Sequence, residues 1–265
     1  MPELLPRLDY VIYYELQTDP CASPSNPFIR WYKNWKVTRS AYLMMPIYSC
    51  DISALCFQSE VVVHTNMDSV QCFNLNGEEI ETNVTKKKSA ILDVLDSFLV
   101  SSASKQVKVI GIDIECHLKQ DSDKTKCATL HLCDGSSCLI IQLLHMDSIP
   151  VSLLNFLHLP DYTFVGVGIK DDLYKLDDEY GIRCKNAVDL GPLAATVMKM
   201  PRLSGCGIDE LTRVVNNLDL RRHRPLTAVF KDWGQYRLSK KLAKLATVNV
   251  YSYYKVGTKL LEPST

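Results

Sequence analysis

Asp113 and Glu115 close an apolar, strand-like run, Val107-Lys108-Val109-Ile110-Gly111-Ile112-Asp113-Ile114-Glu115. Side chains alternate across a strand, so Gly111, Asp113 and Glu115 share one face while Ile110, Ile112 and Ile114 share the other. Two carboxylates on one half-buried face repel each other, and burying unpaired charge is costly. Something cationic belongs against them, and a pair of hard divalent ions with oxygen preference is the economical answer. The plainer reading is that the strand ends at Ile114 and both acids face water at its mouth. For an isolated Asp-x-Glu the plainer reading is the commoner one.

More acids follow downstream. In Gly166-Val167-Gly168-Ile169-Lys170-Asp171-Asp172-Leu173-Tyr174-Lys175-Leu176 a strand runs through glycines into a helix whose first turn holds Asp171 and Asp172. The helix dipole alone favours acids there, so this pattern has a structural explanation as well. Asp189 ends another short strand and reads as the cap of a helix beginning near Pro192. Overall charge is balanced, with 30 basic and 30 acidic residues, so no global field announces a polyanionic partner. From Arg213 onward, however, eleven basic residues face only three acids. Among them Arg221, Arg222, Arg224, Lys240, Lys241 and Lys244 are the candidate phosphate contacts. A solvated helix face explains such stretches about equally often.

The elements that must position these groups are legible in part. Residues 1–58 are rich in Tyr and Trp, show no clean period, and read as an N-terminal extension that is a candidate for partner binding. Residues 59–104 read as strands at Glu60–His64 and Ser69–Phe73, a turn at Asn74-Leu75-Asn76-Gly77, and a helix over Ala90–Leu99. Ser101-Ser102-Ala103-Ser104 breaks that helix and marks a boundary. Residues 105–265 then hold the acidic strand and two more strands joined by short turns, an antiparallel meander. A helix over Val151–Leu157, a buried strand over Thr163–Gly168, a helix over Asp171–Tyr180 ended by Gly181, and a strand over Asn186–Leu190 follow; the remainder is helical. This is an α/β layered arrangement around a mixed sheet.

Residues 105–262 resemble the DEDD-type 3′-5′ exonuclease domain, nearest the Werner-syndrome-type exonucleases of the tyrosine subclass. The first motif of that family stands here as Asp113-Ile114-Glu115, and the second as Gly168-Ile169-Lys170-Asp171-Asp172-Leu173-Tyr174-Lys175-Leu176, which singles out Asp172 over Asp171. Weaker landmarks are Lys126–Cys133, Asn186–Leu190 and Asp232-Trp233 ahead of Leu238-Ser239. The resemblance implies an RNase H-like fold with flanking helices and hydrolysis of phosphodiesters by two Mg²⁺ or Mn²⁺ ions ~3.5–4 Å apart. It also implies roles: Asp113 bridging both ions, Glu115 on the nucleophile side, Asp172 on the second ion.

The third motif departs from the family. Its pattern, L-S-x-x-Q-x-x-Y-A-x-x-D-A-Y, aligns without a gap on Leu238 to Tyr251, which puts Leu245 at the tyrosine and Asn249 at the aspartate. The two are i and i+4 on one helix face. A tyrosine that positions and helps deprotonate water is worth ~10²–10⁴ in rate, and leucine has no atom for that task. Asparagine retains a carbonyl oxygen but brings no charge. Tyr251 lies on a different face and is a poor substitute. Two readings follow. One is a weak exonuclease acting on single-stranded DNA or RNA 3′ ends; the other is an inactive domain that binds nucleic acid or a protein. On sequence alone, Asn249→Asp with Leu245→Tyr is expected to restore cutting.

Ten cysteines fall without a C-x-x-C or paired Cys/His spacing, so structural zinc is not expected. Several lie in apolar runs, where free cysteine acts as a small hydrophobe. The chain reads as reduced and intracellular, in nucleus or cytoplasm, with no membrane-spanning run. The sequon Asn83-Val84-Thr85 reads as accidental.

Overall fold

The computed structural model describes residues 69–118, 125–225 and 232–262. The expected N-terminal extension and the strand at Glu60–His64 lie outside those residues. Among the described residues, seven strands form one sheet: β1 (Ser69–Leu75), β2 (Glu78–Thr85), β3 (Lys108–Leu118), β4 (Thr125–Cys133), β5 (Ser137–Ile141), β6 (Tyr162–Gly166) and β7 (Ala187–Asp189). Their spatial order is β1-β2-β5-β4-β3-β6-β7. The hairpin β1–β2 is antiparallel, as are β5–β4 and β4–β3, whereas β2–β5, β3–β6 and β6–β7 are parallel. The expected meander is β3–β4–β5. The sheet is mixed, and helices flank it.

The helices are α1 (Lys88–Ser101), α2 (Val151–Leu157), α3 (Ile169–Tyr180), α4 (Leu190–Val197), α5 (Ile208–Asn216) and α6 (Lys240–Leu261). Among the described residues none is long and apolar enough to cross a membrane. Asp189 caps α4 by accepting from the Gly191 N–H, as its position at a strand end suggested. Gly181 closes α3 in the left-handed region.

The hairpin and α1, which the sequence set ahead of the domain, share its sheet. Thr82 to Thr85 pair in parallel with Cys138 to Ile141, and Thr82 bonds Thr247 of α6 across 2.8 Å. The break at Ser101–Ser104 is therefore a helix end rather than a domain boundary. The reason is pairing at long range: β2 supplies the partner that one edge of β5 would otherwise lack. Asn83 of the sequon is buried in β2 and donates to Glu81, which agrees with an accidental match.

Helix α6 is the element that makes the site. Leu242, Ala243, Leu245, Ala246, Val248, Val250, Val256 and Leu260 are all buried, and the helix crosses β3, β4, β5 and β6. It comes close to the sheet at Gly111, where an added Cβ would stand 2.0 Å from the Val250 carbonyl oxygen. Only a glycine on β3 admits the helix backbone at that depth. The next residue on the same face of β3 is Asp113.

Candidate nucleic-acid site

The alternation expected for β3 is present. Ile110, Ile112 and Ile114 are buried on one side, and Asp113 is only 8% exposed on the side covered by α6. Asn249 of α6 donates its Nδ2 hydrogen to Asp113 Oδ2 at 3.2 Å. Its own Oδ1 accepts from Arg224 Nη1 at 2.6 Å. Arg224 in turn is held by Asp209 in the first turn of α5, through Nε at 2.9 Å and Nη2 at 2.8 Å. The result is a continuous chain, Asp209–Arg224–Asn249–Asp113.

The amide orientation in that chain has one consistent solution. Turning Asn249 over would set its oxygen against a carboxylate and its NH₂ against a guanidinium, both repulsive. Hydrogen bonds to charged groups contribute about 1.5–3 kcal/mol each, so the arrangement is held at both ends of the amide.

Asp172 joins the cluster from the start of α3. Gly168, with φ of 66°, provides the left-handed turn into that helix, and its N–H bonds Asp189 Oδ2 at 2.9 Å. Burial pushes the Asp172 carboxyl above the usual carboxylate range, and the charge of Asp113 adds to the effect while Lys175 opposes it. Tyr253, one turn beyond Asn249 on α6, is 6% exposed. Burial raises its phenol well above the ordinary value; Asp113, Glu115 and Asp172 push the same way and Arg224 opposes. Asn249 thus touches Asp113, Asp172 lies near enough to feel the charge of Asp113, and Asp113, Glu115 and Asp172 all act electrostatically on Tyr253. Leu245 is buried in the apolar core one turn before Asn249.

His131 on β4 sits directly across from Asp113 in the strand register. It is fully buried, with Nε2 2.8 Å from Thr129 Oγ1 and Nδ1 3.8 Å from Asp113 Oδ2. Its ring lies against Trp233, with centroids 5.3 Å apart. Neither His131, Asp209 nor Tyr253 was singled out from the sequence. Tyr253 had a signal, the i+4 step from Asn249; Asp209 had none. Tyr251 is buried elsewhere in the core, consistent with its different face.

The basic residues divide. Arg222, Arg224, Lys240, Lys241 and Lys244 line an open groove of about 750 Å³, together with Phe73 and Asn74 of the edge strand β1 and with His223 and Pro225. Arg221 instead turns onto Asp219, Nη2 to Oδ2 2.7 Å, and is absent from the groove lining. Arg224 lines the groove but is not free, because Asp209 and Asn249 already hold its guanidinium. Its guanidinium points inward because Asp209 and Asn249 both accept from it.

Among the described residues, no group of three or more His, Cys, Asp or Glu side chains is arranged to hold a metal ion. By charge and donor type the residues here are a poorer set for a pair of ions than four carboxylates would be. Asp113, Glu115 and Asp172 bring three charges against the four of two divalent cations. The fourth position offers Asp113 an N–H, which cannot ligate a metal, and its oxygen is engaged by a cation.

A model of the 3′-5′ exonuclease family matches residues 93–261. A 3′-5′ exonuclease of Arabidopsis thaliana is 29% identical over 174 residues, which cover 64% of this chain and 58% of that protein. The match thus spans less than two thirds of that relative's length. Escherichia coli RNase D, described as an exoribonuclease involved in structured RNA processing, superposes with a TM-score of 0.53 at 17% identity over 67% of this chain and 44% of its own. The exonuclease domain of Aedes aegypti Nibbler gives the same TM-score at 12% identity, covering 72% of this chain and 92% of that domain. Such identities speak for the fold.

Proposed function

Because this chain belongs to the 3′-5′ exonuclease family, whose members hydrolyse phosphodiester bonds, we propose that it holds the 3′ end of single-stranded DNA or RNA with little or no cutting. The groove lined by Arg222, Lys240, Lys241 and Lys244 takes the phosphate backbone, and Arg224 in its lining connects it through Asn249 to Asp113. The observation that carries this reading is the placement of Asn249. Its N–H is committed to Asp113 and its oxygen to Arg224, so the family's fourth metal ligand is absent in kind and in orientation. A metal pair, when bound, would stabilise the attacking and leaving oxygens of the displacement; the residues present do not fit that pair, and Leu245 cannot orient water.

A second reading is kept alive by one observation, the presence of Asp113, Glu115 and Asp172 within the region that matches the family. It is a slow exonuclease dependent on Mg²⁺ or Mn²⁺. The test is fluorescence anisotropy with labelled single strands, in EDTA and in Mg²⁺, beside digestion of 3′-labelled and 5′-labelled strands with Asp113→Ala as control. Binding that persists in EDTA with no Asp113-dependent shortening is the expected result. Shortening from the 3′ end that Asp113→Ala abolishes would establish the second reading, and no strand binding at all would overturn both.

A further inference from the structure

We propose that Arg224 is a resident counter-ion, standing beside Asn249 and acting through it on Asp113, where the chemistry of the fold would otherwise call for a divalent metal. This deepens the reading of the site given above and rests on taking Asp113, Glu115 and Asp172 as its acidic wall.

Three observations converge on it. Asp113 is 8% exposed, and a buried carboxylate requires compensation. Asn249 transmits that compensation, donating to Asp113 while it accepts from Arg224. The guanidinium is not loosely placed, since Asp209 accepts from both Nε and Nη2 and leaves its side chain 21% exposed. A planar guanidinium has five N–H donors, and three are used here, which leaves hydrogens on the terminal nitrogens for a phosphate oxygen. Arg224 also lines the basic groove, so the same group that braces the acids meets whatever the groove delivers. A phosphate at the end of a strand is the ligand class this donor set fits.

The assignment changes what a repaired site needs. Asn249→Asp places a carboxylate 2.6 Å from Arg224 Nη1, where the Asn249 oxygen now stands. That carboxylate forms an ion pair with the guanidinium and is lost as a metal ligand. Only removal of the guanidinium as well frees it.

Thermal unfolding of the full chain in EDTA and in MnCl₂ tests the assignment, with a readout independent of cutting. A ligand that binds only the folded state raises the melting temperature. The wild type and Asn249→Asp should each melt at the same temperature in either medium. Arg224→Gln with Asn249→Asp should melt lower in EDTA and gain several degrees in MnCl₂. A wild-type chain stabilised by MnCl₂ as strongly as the double variant would overturn the assignment, as would Asn249→Asp gaining that stabilisation alone. Should the double variant not fold, the wild type and Asn249→Asp still decide the matter between them. Strand affinity measured in EDTA fails or holds separately, so loss of the binding function and loss of the counter-ion are distinguishable.

Discussion

Asn249 gives its amide hydrogen to Asp113 across 3.2 Å, and by doing so turns its carbonyl oxygen toward Arg224. A side chain that could have offered a metal an oxygen is thereby recruited to join a cation and an anion. An aspartate would nearly match asparagine in volume, yet it would set a negative charge where an N–H donor now stands. That difference, and the packing around it, have measurable consequences.

On the proposed reading, three changes should restore cutting. Asn249→Asp with Leu245→Tyr, the pair suggested by the sequence, leaves Arg224 to neutralise the new carboxylate. Adding Arg224→Gln should release it. The triple variant is expected to shorten 3′-labelled strands in Mn²⁺ at least ~10-fold faster than the double, within the ~10²–10⁴ attached to a general acid-base group. Asp113→Ala in that background should remove the gain. Leu245 is buried, so its replacement by tyrosine should also lower stability by about 1–3 kcal/mol, read by urea unfolding.

The groove predicts a graded charge effect. Replacing Lys240, Lys241 or Lys244 by Gln should weaken single-strand binding at every sequence and lower the salt slope by roughly 1 for each phosphate no longer neutralised. Arg221→Gln is the internal comparison. Its guanidinium is committed to Asp219 outside the groove, so affinity and slope should stay near wild type. Anisotropy titrations across a salt series distinguish the two cases.

Asp209 restrains Arg224, so Asp209→Asn should loosen the guanidinium and remove one negative charge beside the groove. Affinity for single strands is expected to rise in EDTA. The opposite result, weaker binding with unchanged stability, would mean that Arg224 must be held inward to receive phosphate.

Gly111→Ala should be among the most damaging single substitutions in β3. The new Cβ would stand 2.0 Å from the Val250 carbonyl oxygen, a clash with backbone that no rotamer relieves. Helix α6 must shift, and with it the Asn249–Asp113 bond. A loss of about 1–3 kcal/mol or more is expected by urea or thermal unfolding. Strand affinity should fall further than for a surface substitution of equal stability.

Much of this protein is legible in the chain itself, and for local reasons. Strict alternation puts Asp113 and Glu115 on one face of β3, because neighbouring side chains of a strand point oppositely. Helical spacing puts Leu245 and Asn249 on one face of α6, and Gly168 and Gly181 bracket α3 because left-handed backbone favours glycine. Leu245 and Asn249 stand where the resemblance would put a tyrosine and an aspartate, a difference visible as residue type. What the tertiary structure decided lies at long range. Arg224 is 25 residues from Asn249 and 15 from Asp209, and Asn249 is 136 from Asp113, separations that carry no periodic signal. The same holds for β2, whose parallel pairing with β5 brings the hairpin into the sheet. Composition reports that basic residues are present; only packing determines that Arg224 turns inward while Arg221 turns onto Asp219. A guanidinium goes where acceptors already stand, and here the acceptors at Arg224 come from α5 and α6 together.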